Sequence, residues 1–240
     1  MIRMPKGGGR PVLTPQETPA FQHVADAYPM PSVGLGLPPV SDGLYHGYED
    51  VDVVPAELYA KMLAGADAKT SQISAGDYLA SFEQSLSAGL DVVHVTLSSG
   101  ISGTYNSACA ARDQLAEKYP DRHVYVVDSL AASSGYGLLM DRLADLRDEG
   151  MSAVELVAWA EEHKGEVQHW FFSSDLTFFI RGGRISKAAG LVGGMLKICP
   201  VMDVAPDGSL AVKEKIRTKA KAEKRVIEKM VELAEGGRDY

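Results

Sequence analysis

A segment rich in glycine and hydroxyl side chains, residues 97–108, is the part of this sequence best suited to hold a ligand. It reads LSSGISGTYNSA, follows an apolar run at 91–97 and leads into a helical pattern. Glycines let the backbone approach a ligand closely, and N–H groups at a helix start favour negative charge. The segment contains no carboxylate, histidine or cysteine. It therefore predicts binding without chemistry, although capping of the next helix by Ser102 or Thr104 is an equally good interpretation.

Two other groups of residues could hold an anion. The tripeptide Thr-Ser-Gln at 70–72 is by itself typical of a polar turn, but it could add hydroxyls around one carboxylate or phosphate. The tetrapeptide Arg-Gly-Gly-Arg at 181–184 closes a short predicted helix. Its arginines could bind a carboxylate or phosphate through paired hydrogen bonds. They could equally stabilise the negative C-terminal end of the helix dipole.

Serine hydrolysis is an alternative to binding. A nucleophilic Ser102 would need a histidine base and an orienting carboxylate. None of the candidate bases lies in an obvious loop at the carboxyl end of a strand; they are His46, His94, His123, His163 and His169. The glycine-rich segment also lacks the spacing of a nucleophile elbow, a P-loop or a dinucleotide-binding turn. Ligand binding is therefore the stronger hypothesis.

The composition is that of an ordinary globular protein. The chain has 240 residues, 45% of them hydrophobic and 23% charged, and a formal net charge of −8. Such an acidic chain is not expected to bind nucleic acid. The cysteines, Cys109 and Cys199, lie in apolar contexts and are predicted to be free thiols. With no apolar run of ~20 residues and no secretory signal pattern, we expect a cytoplasmic protein without a membrane span.

Strand, polar loop and helix alternate through the middle of the chain. Strands are predicted at 92–97 and 123–127, and each is followed by a polar loop and a helix. This alternation is typical of an α/β fold with a mostly parallel sheet. Because open α/β sheets bind ligands at the carboxyl ends of their strands, the loops at Ser98 and Asp128 form the expected binding edge.

The chain is predicted to form two α/β domains behind an N-terminal arm. Residues 1–30, rich in glycine and proline, are expected to be a flexible or divergent arm. The first domain is assigned to 31–165 and the second to 166–240. Apolar stretches at 171–180 and 191–198 are typical of core packing, although part of them could line a tunnel for an aliphatic chain.

Local signals define further elements. A helix is predicted over 55–63, with proline in its first turn. Ser74 with Asp77, and Ser152 with Glu155, stand at capping-box spacing. The sequence Pro-Asp-Gly at 206–208 predicts a hairpin turn. The basic helix predicted over 218–234 is typical of a solvated face, or of a surface that docks an acidic partner.

Six ordered motifs resemble those of the DegV family, bacterial fatty-acid-binding proteins that include the acyl-carrier subunit of fatty acid kinase. Within residues 31–234 they are Thr70-Ser71-Gln72, the loop at 97–108, Val127-Asp128-Ser129, Asp175-Leu176 with 181–185, 196–201 and 215–219. The resemblance implies a DegV-like fold of two α/β units with a ligand cleft between them. It also implies that a long-chain fatty acid is buried in a tunnel.

By position, the resemblance implies a role for each of five residues. Thr70 and Ser102 would hydrogen-bond the fatty acid carboxylate, with Ser71 and Ser99 nearby. Arg184 would lie near the head group. The chain would then be no enzyme: it would have no catalytic residues, no metal and no cofactor, with the fatty acid as its ligand.

The resemblance also implies a protein partner. Arg217 would belong to the face that meets the catalytic subunit of a fatty acid kinase, which phosphorylates the presented acid with ATP. The family usually opens with a strand ending in Thr-Asp-Ser-Thr, which 1–30 lacks, and usually continues beyond the final basic helix. We therefore expect the second domain to be truncated at its C-terminus, and a degenerate non-binding scaffold is a further alternative.

Overall fold

The computed structural model describes residues 2–3, 35–37, 46–48, 55–66, 69–70, 72–186 and 198–234. The strands in chain order are β1 (Ile2–Arg3), β2 (Leu35–Leu37), β3 (His46–Tyr48), β4 (Lys69–Thr70), β5 (Val92–Thr96), β6 (Val124–Asp128), β7 (Phe171–Phe172), β8 (Cys199–Val204) and β9 (Leu210–Ile216). The helices are α1 (Pro55–Leu63), α2 (Ala75–Ser87), α3 (Thr104–Lys118), α4 (Ser133–Asp148), α5 (Ala153–His163), α6 (Thr177–Arg181) and α7 (Lys219–Leu233).

The strands form three small sheets, ordered β1-β5-β6, β3-β2-β4 and β7-β8-β9. In the first sheet β1 runs antiparallel to β5. Strand β6 runs parallel to β5, because the Val92 N–H donates to the His123 carbonyl and, further along both strands, the Ser129 N–H donates to the Thr96 carbonyl. The pairings in the other two sheets are antiparallel.

The chain divides into two compact units that are interleaved in sequence. One comprises Met1–His94 and Gly103–Val126, and the other comprises Val95–Ser102 and Val127–Tyr240. The predicted boundary at residue 165 between two α/β domains stays a prediction. Of the predicted arm over 1–30, Ile2 and Arg3 pair with β5, and the rest lies outside the described residues.

The core of the first unit lies between α2 and α3. Helix α2 begins at a capping box, in which Ser74 and Asp77 satisfy each other's backbone N–H groups. It buries Tyr78, Phe82 and Leu86 against a cluster that contains Val92, Ala108, Ala111, Leu115 and Val124. Each large side chain contributes about 1.5–3 kcal/mol by its burial, and the alanines let the helices approach closely.

The second unit contains a sheet with apolar side chains on both faces. On one face Cys199 and Val201 of β8 pack with Ala222 of α7. On the other face Met202 packs with Leu176 and Ile185. The ladder between β8 and β9 shifts register between Val201 and Met202, where Lys213 has no opposite residue.

Several expectations are confirmed. The fold class is α/β, helix α1 occupies the predicted residues 55–63, and both capping boxes form. The cysteines are free: Cys199 is buried and Cys109 is partly exposed. The apolar stretch from 191 to 197 lies outside the described residues. Among the helices described, none combines the length and the apolar character that a membrane crossing requires.

Candidate functional site

The loop after β5 is held by the side chain and backbone of Ser98. This serine is fully buried, and its N–H donates to the Ala131 carbonyl at 3.0 Å. Its hydroxyl donates to the Gly208 carbonyl at 2.7 Å and accepts from the Gly100 N–H at 3.2 Å. One serine therefore joins its own loop to the loop after β6 and to the turn between β8 and β9.

Asp128 provides the second brace of this loop. Its Oδ1 atom accepts the Ser99 N–H at 3.0 Å and the Leu130 N–H at 3.2 Å. Asp128 is the last residue of β6, so the carboxylate organises the start of its own loop as well as the neighbouring one. Two strand-end loops are thereby fixed relative to each other before any ligand arrives.

Glycine is required at Gly100 for a steric reason. A Cβ atom there would lie 2.4 Å from the carbonyl carbon of Gly208 and 2.5 Å from the Ser209 nitrogen. Both are backbone atoms, so a side chain could be accommodated only by moving the turn between β8 and β9. The glycine therefore permits the close approach that the Ser98 hydrogen bond completes.

Gln72 lies against the first turn of α3. Its Nε2 atom donates to the Ser107 hydroxyl at 3.0 Å. A Cβ atom at Gly103 would collide with the Gln72 amide, so this glycine makes room for that side chain. The polar tripeptide at 70–72 is therefore connected to the glycine-rich segment through its third residue.

The helices after the two loops have no side-chain caps. Gly103 is the N-cap of α3 and Ala132 that of α4, and neither has a capping hydrogen bond from a side chain. In contrast, Ser74, Ser152 and Thr218 cap α2, α5 and α7. The interpretation of Ser102 or Thr104 as a cap of α3 is therefore wrong. Helix α6 also lacks a side-chain cap, at Leu176, so the missing cap is shared by α3 and α4 without being special to them.

The loop after β6 contains backbone in an uncommon conformation. Leu130 and Ser133 have φ values of 49° and 53°, in the left-handed region that residues with a side chain seldom adopt. Between them, the Ala132 N–H donates to His169 Nε2 at 3.4 Å. Burial lowers the pKa of His169, which favours the neutral ring that this hydrogen bond needs. Such conformations are concentrated at functional sites.

The predicted site residues are placed as follows. Ser99 and Ser102 lie on the same loop: Ser99 is exposed, and the half-buried Ser102 donates its N–H to the Ser98 carbonyl at 3.1 Å. Arg184 follows α6, and its Nη1 atom donates to the Gly182 carbonyl at 2.5 Å. Thr70 ends β4, where only the backbone is described, and Ser71 lies outside the described residues.

The rings of His94, His163 and His169 lie in surroundings other than a serine–histidine pair. Both ring nitrogens of His94 are buried without a hydrogen-bond partner. His163 Nδ1 pairs with the Trp159 carbonyl, and His169 accepts from a backbone N–H. A serine nucleophile needs a base within hydrogen-bond reach, and these three rings either bond a backbone group or have no hydrogen-bond partner. The described residues also contain no cluster of histidine, cysteine and carboxylate side chains that could hold a metal ion.

Sequence reasoning missed the residues that hold the loops together. The sequence places Ser98 and Asp128 at strand ends and Gly208 in a hairpin turn. It does not predict that Ser98 bonds Gly208 or that Asp128 bonds the Ser99 N–H. The pattern of Pro-Asp-Gly predicts the turn itself and carries no signal for what packs on it. An alignment with covarying positions is the signal that could have found this pairing.

The fold defines an α/β protein with two hydrogen-bonded loops at the carboxyl ends of parallel strands, the edge where open α/β sheets bind ligands. A profile of the DegV family, described as uncharacterised proteins, matches residues 42–239. The chain belongs to the DegV family.

Proteins and solved structures of the same family are similar to this chain. A DegV domain-containing protein of Lactococcus lactis is 38% identical over 193 residues, which cover 80% of this chain and 67% of that protein. A DegV-family structure from Ruminococcus gnavus, refined with vaccenic acid, has a TM-score of 0.74 at 27% identity and covers 92% of this chain and 76% of its own. The Fatty Acid Kinase (Fak) B3 protein of Streptococcus pneumoniae, loaded with linoleic acid, has a TM-score of 0.71 at 27% identity. The match covers 85% of this chain and 73% of that protein's chain.

Proposed function

We propose that this chain binds a long-chain fatty acid and performs no chemistry on it. The observation that carries the proposal is the pair of braced strand-end loops that lead into helices without side-chain caps. Solved relatives of the same fold hold vaccenic and linoleic acid. A fatty acid carboxylate is an acceptor of the size and charge that such loops suit.

The head group is assigned to neutral hydroxyl donors with one arginine beside them. In this proposal Thr70 and Ser102 hydrogen-bond the carboxylate, Ser71 and Ser99 lie nearby, and Arg184 stands beside the head group. Ser99 and Ser102 are supported by their place on the loop that Ser98 and Asp128 fix. Hydroxyl groups bind a carboxylate in either protonation state, because they can both donate and accept.

The acyl chain supplies most of the affinity. Burial of a methylene contributes ~0.8 kcal/mol, so ~14 buried methylenes contribute on the order of 11 kcal/mol before the costs of association. The apolar interior of the chain, assigned here to a tunnel for the tail, sets the affinity. The hydroxyl groups then determine which head group is accepted.

A kinase partner is the second part of the proposal. Arg217 is exposed and follows β9, whose exposed residues Lys213 and Lys215 alternate with inward ones. This cationic strip suits an acidic surface on the catalytic subunit of a fatty acid kinase. In the proposal the chain presents the bound acid, and the partner phosphorylates it with ATP.

Mass spectrometry of the protein as purified from cells tests binding. Native spectra should show the mass of the chain plus a fatty acid, and extraction followed by gas chromatography should identify that acid. An empty protein that also fails to take up oleate after delipidation would overturn the proposal and favour a non-binding scaffold. Covalent labelling by a fluorophosphonate probe that is lost in Ser102→Ala would favour the hydrolase.

The kinase role has its own test. The loaded protein is mixed with a fatty acid kinase catalytic subunit and ATP, and acyl phosphate is trapped with hydroxylamine. We expect product with the natural chain and less with Arg217→Glu, while fatty acid occupancy stays unchanged. Equal yields from both proteins would remove Arg217 from the partner surface.

A further inference from the structure

The ring of His169 lies against the first turn of helix α4. The N–H of Ala132, the N-cap residue of that helix, donates to His169 Nε2 at 3.4 Å. A Cβ atom at Gly135 would lie 2.0 Å from the same nitrogen, so the buried glycine makes room for the imidazole. A side chain that lies 37 residues after Ala132 in the sequence is therefore seated in a notch at the start of the helix.

Three consecutive N–H groups of the loop after β6 donate to side chains. The Leu130 N–H donates to Asp128 Oδ1 at 3.2 Å, and the Ala131 N–H donates to the Ser129 hydroxyl at 3.0 Å. These two acceptors belong to the same short stretch of chain, whereas the third acceptor, His169, lies in the segment before β7. His169 therefore holds the helix end of the loop from outside the loop.

The loop needs such a hold because its backbone is strained. Leu130 and Ser133 have φ values of 49° and 53°, and conformations of this kind persist only where the surrounding contacts fix them. The same loop is bonded to the loop after β5, since the Ala131 carbonyl accepts the Ser98 N–H at 3.0 Å. Release of the loop after β6 would therefore also loosen the loop after β5.

We propose that His169 is a positioning residue of the fatty acid site, which holds the loop after β6 in the conformation that braces Ser99 and Ser102. The inference rests on the proposed function, because these two serines are assigned there to the head-group site. His169 acts through the backbone: its ring bonds Ala132, and the adjacent Ala131 carbonyl bonds the neighbouring loop.

The acceptor role requires a neutral ring, because a protonated imidazole donates from both nitrogens. Burial lowers the pKa of His169 below 6.5, while a hydrogen bond with the Val167 backbone and the Asp203 carboxylate oppose this effect. Asp203 belongs to β8 and pairs with Lys213 of β9 at 3.4 Å. The parts of α4 against the ring are an N–H group and a glycine, neither of which titrates.

Acid should therefore release the loop. In the released form the ring meets water and has its ordinary pKa of about 6.5, whereas in the held form the pKa of His169 is lower. Since the released form binds the proton more readily, the equilibrium moves toward release as the pH falls below about 6.5. We expect head-group binding to weaken over the same pH range.

Oleate binding to the delipidated full chain at about pH 7.5 tests the hold on the loop. His169→Leu removes the acceptor and should raise the oleate dissociation constant by about fivefold. His169→Gln supplies an amide oxygen as the acceptor, so this variant should bind within about twofold of the natural chain. His123→Gln, at an exposed position, is the matched control and should bind like the natural chain.

Gly135→Ala separates positioning from stability. The new methyl group would displace the imidazole, while alanine favours the helix more than glycine does. We expect oleate binding to weaken about as much as in His169→Leu, although the chain should unfold no more easily in urea, because the helix preference offsets the lost hydrogen bond. In Gly165→Ala, where nothing lies within 4 Å of a Cβ atom, oleate binding should stay unchanged.

A pH series tests the acceptor chemistry of the ring. The oleate dissociation constant of the natural chain, divided by that of His169→Gln, should rise at least about threefold from about pH 7.5 to about pH 5, because glutamine remains an acceptor throughout. Both proteins meet the same ligand, so this ratio is independent of the titration of oleate itself. Without ligand, the Ala132 amide should exchange at least about fivefold faster in His169→Leu, as measured by NMR.

Failure of the proposed function and failure of the positioning role give different results. A natural chain that binds no oleate overturns the proposed function, while amide exchange at Ala132 still reports the hold on the loop. The positioning role is overturned if His169→Leu keeps the natural affinity, if His169→Gln binds as weakly as His169→Leu, or if the ratio of dissociation constants stays constant across the pH series.

Discussion

The Ser98 hydroxyl donates a 2.7 Å hydrogen bond to the Gly208 carbonyl across 110 residues of sequence. Both residues are buried, and a Cβ atom at Gly208 would lie 2.1 Å from the Ser98 oxygen. Gly208 has a φ of 79°, the left-handed conformation that glycine adopts at low cost. The hairpin turn therefore turns its backbone, and no side chain, toward the loop after β5.

Removal of this hydroxyl should destabilise the protein. Ser98→Ala leaves the Gly208 carbonyl and the Gly100 N–H without their buried partner. We expect a loss of about 1–3 kcal/mol in the free energy of unfolding, measured by urea denaturation. Ser99→Ala is the control, since the Ser99 side chain is exposed and its backbone N–H keeps the bond to Asp128. Equal stability of the two variants would contradict the buried bond.

A side chain at position 100 should also be costly. In Gly100→Ala the new methyl group would overlap the backbone at Gly208, and the turn must move. We expect a loss of about 1–3 kcal/mol, the usual cost of overpacking. Gly165→Ala is the matched control, because nothing lies within 4 Å of a Cβ atom there. That control should be neutral or slightly stabilising, and a neutral Gly100→Ala would show that the turn is free to shift.

The sequence predicted what depends on near neighbours. The capping box of Ser74 and Asp77 needs residues three apart, and helix α1 follows from proline at its start and a helical pattern. The partner of Ser98 could not be predicted in this way. It lies in a turn whose sequence reports only its own geometry, and close approach to a distant backbone leaves no local pattern.

In the candidate site too, the sequence predicted local features but not the contacts between distant residues. A glycine-rich segment after a strand was recognised from residue types, which are local. Whether Ser102 caps α3 depends on backbone direction at the helix start, and there the sequence left two interpretations open. The structure decides against the cap because Gly103 occupies that position.

The stability of the protein should fall at acid pH because of His94. Its ring is 2% exposed, and both ring nitrogens lack hydrogen-bond partners. The rings of Tyr78 and Phe82 stand 4.9 Å and 5.2 Å from it, and the buried Ser85 hydroxyl is also unpartnered. Burial lowers the pKa of His94 well below 6.5, so the folded protein holds the ring neutral.

The direction of this pH dependence follows from proton binding by the folded and unfolded chains. Below about pH 6.5 the unfolded chain binds a proton at His94 that the folded chain does not, so stability decreases as pH falls. The contribution is at most about 1.4 kcal/mol per pH unit. We expect His94→Leu to flatten the pH dependence of the unfolding free energy by this amount, whereas His123→Gln, at an exposed position, should not. Parallel curves for His94→Leu and the natural chain would exclude the mechanism.

Loss of the proposed head-group hydroxyls should release the fatty acid without unfolding the chain. In Thr70→Val with Ser102→Ala, two donors to the carboxylate are removed while shape is nearly kept. A hydrogen bond to a charged group contributes about 1.5–3 kcal/mol, so each loss should weaken retention by at least about tenfold. Occupancy is measured by native mass spectrometry, with thermal unfolding to verify the fold. Ser87→Ala is the control, because its hydroxyl bonds the Gln84 carbonyl at the exposed end of α2. Full occupancy in the double variant would place the head group elsewhere in the protein.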